Sequence, residues 1–175
     1  LGTISYALVY WGMLYTSISP LGPHVNAALG IGFSVLEGFT WPCFHGVEMA
    51  VASFVGSSLG AGRPDQARRA IRLALPLSLG LGGAASIAFY FGADFLTGIF
   101  TRDPSAHDQA ILYATILAFS QVFVAIETLN EGVLAGAGDT RTVFILTTPL
   151  TVLRVPLAYL FAFTFGFGAA GIWWA

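Results

Sequence analysis

Long apolar runs separated by short polar turns constrain the fold of this chain more than any other feature. The runs cover approximately residues 2–19, 25–59, 68–100, 107–135, 142–165 and 170–175. An α-helix that crosses the hydrocarbon core of a bilayer needs about 20 predominantly apolar residues. Only 9% of the residues are charged, whereas soluble domains carry about 25%. The sequence therefore predicts an all-α, polytopic membrane protein, with residues 1–175 forming a single transmembrane lobe whose last helix is truncated.

The remaining composition excludes several classes of protein. The net charge of −2 gives no reason to expect a nucleic-acid partner. Cys43 is the single cysteine, so neither a disulfide within the chain nor a cysteine-based metal site is expected. We predict a multi-pass protein of the cell membrane that has the lipid bilayer as its surroundings and needs no cofactor or metal.

Carboxylates inside the apolar runs are the first candidates for function. Glu127 and Glu131 lie late in the run 107–135, with Asn130 between them. Placing such a charge in hydrocarbon costs about 2.5–3.5 kcal/mol on insertion scales. Residues four apart share one face of a helix, so the two carboxylates should point the same way. This pattern is typical of a proton or cation site. Alternatively, Glu131 reaches the interface, or Arg154 pairs with Glu131 or Glu127.

A second polar set lies in the run 25–59, at Glu37, Trp41, His45 and Glu48. At 100° per residue these four fall within one stripe, provided that Pro42 does not break the phase. Imidazole titrates near physiological pH, and a tryptophan ring face attracts organic cations. The stripe therefore favours a proton relay or a cation-lined wall. The alternative is that His45 and Glu48 form hydrogen bonds between helices and Trp41 supplies apolar bulk.

The arginines indicate the orientation of the spans. All seven basic residues are arginine, and five of them lie in the turns 60–72 and 136–142. These two turns are on the same side if the spans alternate, and basic residues favour the cytoplasmic side. We therefore expect both turns to face the cytoplasm.

Two glycine-containing turns carry a family resemblance. Residues 55–69 (VGSSLGAGRPDQARR) and 132–142 (GVLAGAGDTRT) resemble the turns after the second and fourth helices of each half of a MATE (multidrug and toxic compound extrusion) transporter. Residues 100–104 (FTRDP) and 156–159 (PLAY) resemble further segments of its second half. The resemblance implies most of the C-terminal half of a twelve-helix antiporter, and so a fragment whose partner is the N-terminal half of the same transporter.

That family exchanges cationic organic compounds for H⁺ or Na⁺, so the resemblance implies export of drugs or toxins with one of these coupling ions, and no enzymatic activity. It places Tyr10 where residues that face the cavity are expected. Many members carry an aspartate three residues after the position that resembles Gln121, where this chain has Val124. Glu127, one turn further on, could replace that acid. We retain Tyr10 and Gln121 among the candidate ion- or substrate-binding residues.

Two other functions remain open at this stage. One is a flippase of the same superfamily that moves a lipid-linked saccharide. The other is a membrane-embedded enzyme, which the acids and His45 permit but which no arrangement of a nucleophile supports.

Overall fold

The computed structural model describes the backbone of residues 2–175 and the side chains of residues 7–34 and 36–175. Within residues 2–175 the regular structure is helical and contains no strand. Seven α-helices follow in order: α1 (Gly2–Met13), α2 (Pro23–Ile31), α3 (Gly38–Gly60), α4 (Pro64–Gly98), α5 (Pro104–Gly136), α6 (Thr140–Tyr159) and α7 (Gly168–Trp174). The helical fold predicted from the sequence is confirmed.

Several of these helices are joined or extended by π-helical segments. One segment, Gly32–Glu37, joins α2 to α3, and others follow α1 (Leu14–Ile18) and α6 (Leu160–Thr164). A short 3₁₀ turn, Ser19–Leu21, precedes α2. Among the described residues, four helices are long and apolar enough to cross a membrane, namely Pro23–Gly60, Pro64–Gly98, Pro104–Gly136 and Thr140–Thr164. The first apolar run, at α1 and the π-helical segment after it, is shorter than these four.

The turns after α3 and α5 have the same hydrogen-bonding pattern. Gly62 and Gly138 have φ of +70° and +83°, a conformation that glycine adopts without a steric penalty. The next residue in each turn donates its backbone N–H to a carbonyl five residues back, Arg63 to Ser58 at 2.8 Å and Asp139 to Leu134 at 2.9 Å. This is the bonding of a Schellman C-cap, so the two similar sequences fold into the same turn.

Each turn is followed by a helix whose first turn is stabilised by a residue at or next to its start. Pro64 occupies the first turn of α4, where the missing N–H of proline does no harm. At α6 the Asp139 carboxylate accepts hydrogen bonds from the hydroxyl of Thr142 at 2.6 Å and from its backbone N–H at 3.1 Å. These bonds, with a smaller contribution from the Arg141 guanidinium, hold the pKa of Asp139 below its usual value.

Helix α5 is the centre of the bundle, packing against α2, α3 and α4 and, further along, against α6 and α7. Its contacts with α3 are made through glycines. A Cβ at Gly132 would lie 2.5 Å from the carbonyl oxygen of Glu48, and one at Gly136 would lie 2.5 Å from that of Ala52. Two small residues four apart allow helix backbones to approach closely within a membrane. This approach brings the carboxylates of α3 and α5 near each other.

Candidate functional site

A cavity of about 550 Å³ lies among α1, the π-helical segment Gly32–Glu37, α5, α6 and α7. Much of its wall is apolar, with aromatic side chains such as Phe33 and Trp173. The polar side chains that line it come from four elements and are Tyr10, Glu37, Tyr113, Ser120, Glu127, Thr147, Thr151 and Arg154. An apolar pocket with a few convergent polar groups is the usual form of a small-molecule site.

Glu37 is the half-buried acid of this cavity and is positioned by Tyr113. It is the last residue of the π-helical segment, and the Tyr113 hydroxyl donates a hydrogen bond to its Oε1. The ring of Tyr113 lies so close to Gly32 that a Cβ there would collide with it. It also packs edge-on against Trp173, with the ring centroids 4.7 Å apart. Glycine at the start of the π-helical segment therefore admits the ring that holds Glu37.

Glu127 is the second acid of the cavity. It lies on α5 on the same face as Tyr113 and Ser120, since the three residues are spaced by seven, which is close to two helical turns. Glu127 lines the cavity and is also exposed. Val124, at the position where the resemblance leads one to expect an acid, also lines the cavity one turn before Glu127.

Arg154 places a positive charge in the same cavity. Thr147, Thr151 and Arg154 line it from one face of α6. The sequence led us to expect Arg154 to pair with Glu131 or Glu127. Instead, its charge acts on Glu37, and none of the ion pairs within 4.0 Å in the described part of the chain includes Arg154.

A cluster of acids adjoins the cavity where α3 and α5 approach. Glu131 is half-buried and interacts electrostatically with Glu127 and Glu48. Glu48 in turn is 2.7 Å from Nδ1 of His45. The His45 ring stacks on Trp41, with centroids 5.0 Å apart. Of the stripe predicted on the second run, Glu37 lines the cavity, while Trp41, His45 and Glu48 form a separate group nearby.

The other candidate residues occupy different environments. Tyr10 lines the cavity, packs against Phe33 at 5.2 Å between ring centroids, and lies close enough to Glu37 to feel its charge. Asn130 is exposed and Gln121 is 2% exposed; neither is among the residues that line the cavity. Gln121 lies where α4 and α5 are in close contact, since a Cβ at Gly82 would be 3.0 Å from its backbone oxygen.

Three polar residues of this site were not predicted from the sequence, namely Tyr113, Thr147 and Thr151, and Arg154 was expected only as the partner of an acid. A signal for them exists in the helical period. Tyr113, Ser120 and Glu127 recur every seven residues along α5, and Thr147, Thr151 and Arg154 recur every three or four along α6. A polar stripe of this kind on an apolar helix indicates a face turned towards water or another polar group.

The charges of the cavity allow it to hold a cation. With Glu37, Glu127 and Arg154 all ionised, its acidic residues outnumber its basic ones by one. The adjoining Glu131 and Glu48 make the surroundings more negative. Among the described residues no group of three or more His, Cys, Asp or Glu side chains could hold a metal ion. The arrangement suits a proton, a monovalent cation or an organic cation lying against aromatic rings.

Comparison with known proteins identifies similar sequences. The model of the MatE family matches residues 3–160. A probable multidrug resistance protein NorM from Pseudomonas aeruginosa is 32% identical over 165 residues, which cover 88% of this chain and 33% of that protein. The multidrug resistance protein MdtK from Pectobacterium atrosepticum is 30% identical, over 97% of this chain and 39% of that protein. These relatives bear the names of transport proteins, not of enzymes, and the chain spans about a third of their length.

Solved structures show the same fold. A MOP superfamily transporter from Pyrococcus furiosus, whose binding pocket is described as having reverse polarity, matches 99% of this chain with a TM-score of 0.91 and 26% identity. The outward-facing conformation of a multidrug resistance MATE family transporter matches it with a TM-score of 0.90. In both cases the similarity covers 38% of the solved chain.

Proposed function

The chain belongs to the MatE family, and we propose that it forms one lobe of an antiporter that exports cationic organic compounds in exchange for H⁺ or Na⁺. The observation that carries this proposal is the presence of Glu37 and Glu127 in one cavity that also offers aromatic rings. Two carboxylates within membrane-spanning helices are costly unless they are used. Their use here is to bind the coupling ion and the substrate in turn.

In this mechanism the two ligands compete for the same negative charge. A proton or Na⁺ that binds the carboxylate of Glu37 or Glu127 cancels one negative charge and displaces an organic cation, which otherwise lies against the aromatic wall. The hydroxyl of Tyr113 keeps the Glu37 carboxylate directed towards the cavity. Export follows only if the two ligands bind the inward-open and outward-open states with different affinities.

The cluster of Glu48, Glu127 and Glu131 extends this route towards the arginine-bearing turns. Glu127 belongs both to the cavity and to the cluster, so it connects the two. We propose that Glu131 and Glu48, with His45, pass the coupling ion between Glu127 and that side of the membrane. Asn130, Gln121 and Trp41 have subordinate roles in this scheme because they neither line the cavity nor carry a titratable group that could pass an ion.

A lipid-linked saccharide flippase is not favoured. The relatives are named as multidrug resistance proteins, and the cavity wall combines acids with aromatic side chains, which suit an organic cation.

The central test is the removal of each cavity carboxylate in the complete transporter. Glu127→Gln and Glu37→Gln keep the size of the side chain but cannot bind a cation as a carboxylate does. Each should reduce efflux of ethidium from drug-sensitive bacterial cells to that of cells without the transporter. Asp108→Asn is the matched control, because Asp108 is an exposed acid outside the cavity.

The gradient that drives transport identifies the coupling ion. In vesicles that contain the purified transporter, an imposed pH gradient or Na⁺ gradient should drive dye movement in the wild type and fail to do so in both variants. Efflux at the wild-type rate by Glu127→Gln, at equal protein abundance, would remove this residue from the coupling mechanism.

A further inference from the structure

A second concave surface, unrelated to the acidic cavity, runs between α3 and α4. It is a groove with a volume of about 840 Å³. From α3 it is lined by residues of the segment 43–54, and from α4 by residues of the segment 66–77. The titratable residues of the proposed transport route are absent from its lining, namely Glu37, His45, Glu48, Glu127 and Glu131.

The shape of the groove results from small residues between large ones. Gly46, Ala50, Ala70 and Ala74 lie along it and leave space because their side chains are absent or short. Large apolar side chains form the walls and are well exposed, with Phe54 at 61% and Leu73 at 65%. A trough with a smooth apolar floor accommodates a flexible, unbranched hydrocarbon chain.

One end of the groove is basic. Arg69 and Gln66 line it there, beside Phe54. Arg68 pairs with Asp65 at 3.5 Å, whereas Arg69 has no ion pair within 4.0 Å among the described residues. Arg63, Arg68, Arg69 and Arg72 are all exposed, and Asp65 is the single acid among residues 63–72. This end of the groove therefore complements an anionic group.

The length of the groove matches one leaflet of a bilayer. From Cys43 at the apolar end to Phe54 near Arg69, α3 rises about 16 Å at 1.5 Å per residue. Half the thickness of a hydrocarbon core is about 15 Å. With the arginines at the level of the headgroups, the far end of the groove near Cys43 lies close to the middle of the membrane.

We propose that this groove binds an anionic phospholipid, with one acyl chain lying between α3 and α4 and the headgroup phosphate contacting Arg69. A guanidinium binds phosphate through paired hydrogen bonds, and the apolar walls bury the chain. The site is separate from the export cycle, and its occupancy does not require that the proposed transport function be correct.

Native mass spectrometry of the complete transporter tests the headgroup contact. Phosphatidylglycerol should remain bound in preference to phosphatidylcholine with the same acyl chains. Arg69→Gln should reduce the bound phosphatidylglycerol about fivefold, the factor that corresponds to one basic residue at an anionic surface. Arg141→Gln is the matched control, because Arg141 is an exposed arginine at the same end of the bundle but outside the groove. Equal losses in the two variants, or no loss with Arg69→Gln, would overturn the proposal.

Filling the groove tests the acyl-chain contact. A Cβ at Gly46 meets no atom within 4 Å, so Gly46→Leu should fold normally and occupy the groove. It should remove the bound lipid. Gly80→Leu is its control, since Gly80 is equally open but does not line the groove. Unchanged lipid binding in Gly46→Leu would overturn the assignment.

Photocrosslinking locates the lipid and tests whether other protein covers the groove instead. A phosphatidylglycerol with a diazirine on its acyl chain should label residues within 43–54 and 66–77 of the wild-type transporter. Labelling confined to other segments would show that the groove is occupied by the rest of the transporter or by another partner, and would contradict the proposal.

Discussion

At the scale of single residues, Arg154 decides how negative the cavity is. It lies on the α6 face that carries Thr147 and Thr151 and acts electrostatically on Glu37. A guanidinium stays protonated in proteins, so its charge persists while the acids bind and release cations. It therefore opposes the binding of a further positive charge in the cavity.

Replacing Arg154 should strengthen the binding of organic cations. Arg154→Gln removes the single basic side chain lining the cavity, so the affinity for a cationic dye should rise about fivefold, which corresponds to about 1 kcal/mol. Fluorescence polarisation of the dye with the purified transporter measures this change. Arg154→Lys keeps the charge and should bind as the wild type does; weaker binding in Arg154→Gln would show that the arginine supports the substrate instead of repelling it.

At the scale of elements, the contact between α3 and α5 depends on two glycines. The carbonyl oxygens of Glu48 and Ala52 occupy the space that side chains at Gly132 and Gly136 would need. Backbones cannot move aside as a flexible side chain can. The position of the acidic cluster relative to the cavity therefore follows from the absence of two methyl groups.

Adding either methyl group should destabilise the bundle. Gly132→Ala and Gly136→Ala should each cost about 1–3 kcal/mol, the range for overpacking a tight core, and should lower the midpoint of thermal unfolding measured in detergent. Gly80→Ala is the control, because a Cβ there meets nothing within 4 Å and alanine favours the helix. A midpoint for Gly132→Ala equal to that of Gly80→Ala would mean that the helices are not in close contact.

The helices were predictable from the sequence, but their irregular segments were not. Prolines and glycines mark the ends of the long helices, as Pro64 and Pro104 do at their starts, and long apolar runs lie between. The π-helical segment Gly32–Glu37 begins at a glycine, but the sequence does not show that this glycine makes room for the ring of Tyr113 from another helix. Contacts of this kind, distant in sequence, are not visible in a local pattern.

The same distinction applies to the candidate site. The cost of a charge in an apolar run was sufficient to select Glu37 and Glu127, which share one cavity. The sequence could not show which acid lies near Arg154, because that depends on how α6 packs against the rest of the bundle. The roles of all these residues in ion and substrate binding stay predictions.

At the scale of the whole molecule, α6 is the least buried of the four long helices in the described part of the chain. Only 6% of its apolar window is buried, compared with 39% for α5. Its exposed residues include Phe144, Ile145, Leu146, Leu150 and Leu153, so lipid or further protein must cover this face in a membrane. The cavity is lined partly by α6, so what covers α6 also limits access to the cavity.

The proposed transport requires a second lobe, and this requirement can be tested by dividing the transporter. Residues 1–175, expressed without the rest of the transporter, should insert into the membrane but give no dye efflux, because exchange needs the cavity to open alternately to the two sides. Co-expression with the remaining part as a separate chain should restore efflux, and Glu127→Gln in residues 1–175 should abolish that restored activity. If residues 1–175 alone gave the full rate, the acids and arginine of this cavity would have to form a complete translocation pathway by themselves or between two copies of the chain.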